Sequence, residues 1–524
     1  MPSVPPAAAY YVPSLPGLPS ATNEPFDTYA GYLPARRVDA EGKPADNAHL
    51  YFVLHRAMRQ SRDRRLIIWL NGGPGCSSFD GLMMEPVGTG FSYVSNNAFA
   101  KSVAQAAEEV AFFLQRFVEV FPEYARSVHS VHGTGTGVEV YIAGESYAGQ
   151  YIPYIAHELI KMRTRSPVLL RGIAIGNGYI DPVTQSGSEL DMMVESGLWK
   201  KSSSDNPGPL LEYRECDDVL VEIMNKSTHG YVSPADSSPK RCINIYDVRL
   251  DDLSPACGMN WPHGLAPTYE YLARKDVREA LHVDEKFHPE AWVECRQNVG
   301  GVIHASADST NASVTLLPSI LDAGVPVLIF AGDKDLICNY IGLERMVDAL
   351  EWKGARGFSD PPVEYTLGGR DAGIWRTSRG LSYVRVKDAS HMAGVDKPLV
   401  VHDMMLRFMN VSVEAPFTGQ SRVESTVGNS TRVHLAGPPT TTQPNSDAVP
   451  KAPEGTYFNY SLWFLVIVVV GIAAFFGYRR VRRRAPALAA SPPPRPVPAR
   501  HVYEPVPVER DDNVELSHFR IDDD

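Results

Sequence analysis

The run Val138-Glu-Val-Tyr-Ile-Ala143 leads without interruption into Gly144-Glu145-Ser146-Tyr147-Ala148-Gly149. Such a run predicts a buried strand, a tight turn and then a helix, with Ser146 on the turn. Small residues around a serine let the backbone pass through a strained turn and leave the hydroxyl exposed, as in the G-x-S-x-G nucleophile elbow. Here Ala148 holds the last small position, with Gly149 next. Taken alone, the segment is also compatible with an ordinary tight turn.

Further apolar runs surround it. Leu66-Ile-Ile-Trp-Leu70 reads as a short buried strand that ends at Asn71-Gly-Gly-Pro-Gly75, and Gly172-Ile-Ala-Ile-Gly176 and Val325-Pro-Val-Leu-Ile-Phe330 read likewise. Between them, residues 102–121 predict an amphipathic helix. It opens with the capping box Ser102-x-x-Gln105 and repeats apolar residues at Val103, Ala106, Val110, Phe113, Phe117 and Val120. Strands alternating with helices predict an α/β domain with a mainly parallel sheet over about residues 1–410. Residues 183–260 break the pattern: they are polar, loop-rich and carry three cysteines, and predict an inserted lid-like subdomain.

A serine hydroxyl is a weak nucleophile and needs a base. Asp335, in Gly332-Asp-Lys-Asp335, lies just beyond the strand 325–330, at a carboxyl end where catalytic groups collect in open α/β sheets. His391, in Ala389-Ser-His-Met392, follows the strand-like Leu381-Ser-Tyr-Val-Arg-Val386 and precedes a helix starting near Pro398. A histidine by itself is more often a surface or core residue. The chain order Ser146, Asp335, His391 is that of α/β-hydrolases, and three elements in that order favour catalysis.

Composition closes off other classes. The 524 residues carry a net charge of −11, against the basic face expected of a general nucleic-acid binder. No metal or cofactor is expected, because neither zinc-type cysteine spacing nor a phosphate-binding glycine loop is present. The six cysteines are widely scattered, which suits disulfides in a secretory protein. Sequons at Asn225, Asn311, Asn410, Asn429 and Asn459 predict glycosylation in the same compartment.

Residues 411–456 are rich in Ser, Thr, Pro and Gly and predict an extended stalk. Residues 457–478 are almost wholly apolar and long enough to cross a bilayer as one helix. Arg479, Arg480, Arg482, Arg483 and Arg484 follow at once; at the bilayer centre each would cost roughly 2.5–3.5 kcal/mol, so they stay cytosolic. The expected topology is single-pass type I, with the catalytic part lumenal and residues 479–524 a disordered, finally acidic tail. That topology calls for a signal peptide, and Met1-Pro-Ser-Val-Pro-Pro6 has neither the basic start nor the apolar core of one. We expect a leader upstream of this start, or a start assigned elsewhere.

Four segments together carry a family resemblance: Trp69-Leu-Asn-Gly-Gly-Pro-Gly-Cys-Ser-Ser78, Gly144-Glu-Ser-Tyr-Ala-Gly149, Ala331-Gly-Asp-Lys-Asp-Leu-Ile-Cys-Asn339 and Ala389-Ser-His-Met392. Over about residues 10–410 the chain resembles the serine carboxypeptidases (peptidase S10). Cys242-Ile-Asn-Ile-Tyr-Asp-Val-Arg-Leu250, Cys257-Gly-Met-Asn-Trp-Pro262 and the stalk–span–tail layout are similar to its carboxypeptidase D type members, anchored in the fungal Golgi. The resemblance implies an α/β-hydrolase fold with a lid and one C-terminal transmembrane helix. It implies a trans-Golgi enzyme that trims C-terminal Lys and Arg from peptide and protein precursors such as pheromones, with links to cell fusion and programmed cell death.

Roles follow from the same resemblance. Ser146 attacks the last peptide carbonyl, His391 takes its proton and Asp335 orients the imidazole. The amides of Gly73 and Tyr147 form the oxyanion hole. Asn71, Glu85 and Glu145 grip the substrate's free carboxylate, and Met392 lines the S1′ pocket. Three carboxylates in one partly desolvated site share a proton, which predicts a lower KM in mildly acidic medium. The resemblance also pairs Cys76 with Cys295 and leaves Cys338 a free thiol beside the site. Cys216 with Cys242 is the expected lid disulfide, which leaves Cys257 without a partner.

The chain departs from the family at one junction. After Leu82-Met-Met-Glu85 it passes directly to Pro86-Val-Gly-Thr-Gly-Phe-Ser-Tyr93, where the family has a loop and a sheet strand. Loss of an internal strand leaves unpaired backbone groups and a void, so a catalytically impaired membrane glycoprotein is the competing expectation. Smaller departures are Met392-Ala-Gly-Val-Asp396 and Gln185-Ser-Gly-Ser-Glu189.

Overall fold

A computed structural model describes residues 4–17, 27–36, 48–56, 65–78, 89–95, 98–130, 133–198, 241–253, 257–259, 262, 265–288, 292–304, 312–411 and 422–435. The strands, in chain order, are β1 (Tyr11–Val12), β2 (Thr28–Pro34), β3 (His49–His55), β4 (Leu66–Leu70), β5 (Arg126–Ser130), β6 (Gly133–Glu145), β7 (Val168–Gly176), β8 (Arg241–Ile243) and β9 (Asp251–Leu253). They continue with β10 (Val327–Gly332), β11 (Glu351–Trp352), β12 (Ala355–Arg356), β13 (Val363–Leu367), β14 (Arg370–Ser378), β15 (Leu381–Val386), β16 (Arg422–Val427) and β17 (Ser430–Leu435). All four strands expected from apolar runs ahead of the site are present, as β4, β6, β7 and β10.

The main sheet runs β17-β16-β13-β14-β15-β10-β7-β6-β4. Its heart is parallel, through β15-β10, β10-β7, β7-β6 and β6-β4. The remaining strands from β14 outward join antiparallel. Alternation explains how it is buried on both faces. Ile173, Ile175, Val327 and Ile329 enter one core with the helices α1 (Val103–Val120) and α2 (Ala148–Met162). Ala174, Leu328, Phe330 and Val384 face the other, with Met404 from the helix Pro398–Phe408.

α1 starts as its sequence predicts. The Ser102 side chain accepts from the Gln105 amide at 3.1 Å, while the Gln105 side chain accepts from Lys101 rather than from Ser102. The phenylalanines expected on its buried face, Phe113 and Phe117, pack against Phe52 of β3.

Two expectations change, and a third feature bears on the departure after Glu85. First, residues 411–456 are not all stalk: β16 and β17 form a hairpin that pairs with β13 and extends the sheet. A buried polar anchor holds it. Ser425 donates to Asp403, which also accepts from Tyr365 at 2.7 Å, and Arg407 donates to the Ser425 hydroxyl at 2.8 Å. Second, Cys242 pairs with Cys257, not with Cys216. The short hairpin β8–β9 turns the chain back and carries the two cysteines, 15 residues apart, to each other; Cys216 lies outside the described residues. Third, the sheet is divided. β1-β2-β3 forms a separate sheet, and β4 is the outermost strand on its side of the main sheet among the described residues. Ile67, in the middle of β4, is 45% exposed. The junction after Glu85, where the sequence departs from the family, lies outside the described residues.

Within residues 183–260, the described part holds α3 (Pro182–Gln185), α4 (Ser188–Glu195) and the β8–β9 hairpin. Among the described residues no helix is long and apolar enough to cross a membrane; residues 457–478 lie outside them.

Candidate active site

Every catalytic candidate lies past the carboxyl end of a parallel strand: Ser146 after β6, Asp335 after β10 and His391 after β15. Ser146 has φ +63°, the strained left-handed position of a nucleophile elbow between β6 and α2. Its amide donates to Gly176 and its carbonyl accepts from Tyr179 at 2.9 Å, so the turn is held by the loop after β7.

His391 Nδ1 lies 2.8 Å from Asp335 Oδ2, with both residues buried. That bond directs Nε2 to take a proton. Burial alone would lower the His391 pKa, but the charge and hydrogen bond of Asp335, with help from Glu145, raise it above the ordinary value. The help from Glu145 reflects how near the elbow stands to the imidazole. Asp335 itself is fixed by Asn177 Nδ2 at 2.8 Å and the Ile337 amide at 3.1 Å. Asn177 was not among the sequence candidates. It is fully buried, and its Oδ1 accepts from the Gly332 amide at 3.1 Å. The only sequence signal was its place after a strand, in Gly176-Asn-Gly178.

The loop 71–78 closes over the elbow. A Cβ on Gly72 would stand 2.4 Å from the Tyr147 amide nitrogen and 2.6 Å from Ser146 Cβ, so this approach admits only glycine. Gly73 follows at φ +112°. The Cys76–Cys295 disulfide, expected from the resemblance, ties the loop down. Arg296 donating to Gly75 at 2.9 Å and Ser77 to Glu294 at 2.6 Å complete the clamp. Gly73 and Tyr147 thus stand on the two segments that meet at the nucleophile.

Asn71 and Glu145 are buried at the ends of neighbouring strands β4 and β6. Trp69 Nε1 donates to Asn71 Oδ1 at 2.6 Å, which orients the Asn71 amide group as a donor. Glu85 lies outside the described residues, as do Asn225, Asn311 and Asn459. Met392 is half-buried beside His391. Asn410 is exposed, and Asn429 is exposed at the tip of the β16–β17 hairpin. Cys338 is a buried free thiol whose pKa is raised by burial and by the charges of Asp335 and Glu189.

A parallel sheet, a serine on a left-handed elbow and an Asp–His pair on the following loops define an α/β-hydrolase. The sequence model of the serine carboxypeptidase family matches residues 16–85 and 84–411, two stretches that meet at Glu85. The chain belongs to the serine carboxypeptidases. It is 36% identical to the pheromone-processing carboxypeptidase KEX1 of Coprinopsis cinerea, covering 92% of this chain and 84% of that one. To its counterpart in Cryptococcus gattii it is 35% identical over 92% of this chain and 80% of that one. Among solved structures it is similar to Kex1Δp, a prohormone-processing carboxypeptidase from Saccharomyces cerevisiae: TM-score 0.65, 27% identity, 82% of this chain and 99% of that one.

Proposed function

We propose that this carboxypeptidase removes C-terminal Lys and Arg from protein precursors, pheromone precursors included, in a late secretory compartment to which residues 457–478 anchor it. The Asp335–His391 pair at 2.8 Å and the left-handed Ser146, each past the carboxyl end of a parallel strand, carry the serine-peptidase part of this reading. His391 withdraws the Ser146 proton as the oxygen attacks the terminal peptide carbonyl. The amides of Gly73 and Tyr147 receive the developing oxyanion, where losing one donor typically costs roughly 10²–10³ in rate. His391 then returns the proton to the leaving amino acid, and water repeats the cycle on the acyl-enzyme. Asn71, Glu145 and Glu85 take the free carboxylate, which restricts attack to the last residue. The similarity to pheromone- and prohormone-processing carboxypeptidases supports the precursor class. The exposed Asn410 and Asn429 sequons support a lumenal domain.

The test is mass spectrometry of synthetic peptides that end in Lys-Arg, incubated with the purified full chain and with the Ser146→Ala variant. Stepwise loss of Arg and Lys by the first alone is expected. Faster release of Leu than of Arg from matched peptides would overturn the basic specificity.

A second reading has its own observation. Among the described residues β1-β2-β3 is apart from the main sheet and β4 is at its edge, which supports a catalytically impaired membrane glycoprotein that binds peptides without turnover. A fluorophosphonate probe separates the two, because only an activated Ser146 is labelled.

A further inference from the structure

Residues 244–249 belong to the inserted segment, yet they stitch together the two loops that carry Asp335 and His391. The strap begins at β8, and the Cys242–Cys257 disulfide pins its base. Ile245 donates to Cys257 at 3.0 Å and Asn244 to Leu250 at 3.0 Å, so the strap is a closed, internally bonded loop. Toward the acid loop, Val248 donates to Lys334 at 2.9 Å and Ile245 accepts from Ile337 at 3.0 Å. Ile337 is also the residue whose amide holds Asp335 Oδ1. Toward the base loop, the His391 amide donates to Tyr246 at 2.9 Å, and the Tyr246 ring lies 4.9 Å from the imidazole.

One side chain extends the stitch. Arg249 grips Asp247 with a fork, Nε to Oδ1 at 2.8 Å and Nη2 to Oδ2 at 2.7 Å. Asp247 is buried and the Arg249 side chain is 40% exposed. From that anchor, Nη1 donates to the Asp388 carbonyl at 3.2 Å and Nη2 to Asp396 Oδ2 at 3.3 Å. The same Asp396 oxygen accepts from the Ser390 amide at 2.7 Å. Arg249 therefore touches the base loop on both sides of His391, at Asp388 and at Asp396, and none of its contacts is to a reacting atom. A guanidinium held in a fork is suited to such a bridge, since its donors keep fixed angles.

We propose that Arg249, anchored on Asp247, is a positioning residue that holds the His391 loop in register with the Asp335 loop. This rests on the reading of Ser146, Asp335 and His391 as the catalytic triad. Displacing a catalytic group by about 1 Å can cost 10²-fold, and the strap controls that distance.

The experiment compares Arg249→Ala, Arg249→Lys and Asp396→Asn with the unmodified full chain. Rates are normalised to active sites titrated with a fluorophosphonate, so a lower folded fraction does not count. Arg249→Ala is expected to lower kcat roughly 10–100-fold with KM changed less than about twofold, and Arg249→Lys, which keeps the charge without the fork, to fall between. The groups facing His391 are Asp335, Glu145 and Tyr246. Loosening the Asp335 bond removes what raises the imidazole, so its midpoint in the pH–kcat profile is expected to fall. A purely structural Arg249 would lower Tm and leave normalised kcat and that midpoint unchanged, which would overturn the proposal. If the unmodified chain takes up no probe, the activity reading fails instead. NMR titration of the His391 ring then decides the positioning role without turnover: an unchanged midpoint in Arg249→Ala overturns it.

Discussion

Asn177 occupies a left-handed backbone position, φ +41°, between the strand of the nucleophile and the strand of the acid. From there one amide side chain bonds both Asp335 and the Gly332 backbone, so it sets where the carboxylate stands. Asn177→Ala is expected to lower kcat by about 10²-fold through misplacement, with KM little changed, in steady-state peptide kinetics. Asp335→Asn removes the charge that holds the imidazole and is expected to cost about 10⁴-fold in kcat, as orienting carboxylates of such triads do. The pH dependences of catalysis and of substrate binding run in opposite directions. Catalysis needs neutral His391, whose pKa lies above the ordinary value, so kcat should be lost as pH falls through it. Glu85 and Glu145, proposed to grip the substrate carboxylate, should bind best while a proton is shared, so KM should rise from about pH 5 to 8. A KM flat across that range would remove the shared-proton account. For stability the sign is that of a raised histidine: the His391 proton stabilises the fold below its unfolded pKa of about 6.5, and this is lost as pH rises through the folded value.

At the scale of elements, the terminal hairpin β16–β17 shows how a polar-rich stretch joins a sheet. Its residues are Ser, Thr, Arg and Glu with few apolar positions, which read as stalk. What places it is a cluster distant in sequence. Asp403 and Arg407 on the helix Pro398–Phe408 meet Ser425, with Arg407 Nε 3.4 Å from Asp403 and both side chains buried. Removing one partner of a buried ion pair leaves an uncompensated charge. Arg407→Ala is expected to destabilise by about 3–5 kcal/mol, read as a shift in the urea unfolding midpoint. The disulfide of the strap is a similar case. The sequence pointed to Cys216 as the partner of Cys242, whereas the β8–β9 turn brings Cys257 within reach.

For the whole molecule the decisive feature is the divided sheet. β4 carries the approach to Asn71 and Gly72, and its outer edge has no strand among the described residues. Restoring a strand-bearing segment between Glu85 and Pro86 is expected to join β1-β2-β3 to β4 and cover Ile67. Covering the part of that side chain still exposed is worth about 1 kcal/mol. The checks are a higher Tm for the restored chain and a higher fraction of sites labelled by a fluorophosphonate. Equal labelling of the two chains would show that the division is tolerated.

The residue types of the candidate site and their order were legible in the chain because local rules write them. Strands of short apolar runs, a small-residue elbow at Ser146 and loops ending at Asp335 and His391 depend on neighbours within a few positions. Asn177, the Cys242–Cys257 bond, the Arg249 strap and the docking of β16–β17 were decided only in three dimensions. The Cys242–Cys257 bond spans 15 residues, and the others join segments farther apart along the chain. Their energy comes from desolvation and geometry that no local pattern encodes, so the sequence by itself determined the chemistry and tertiary structure determined what holds it in place.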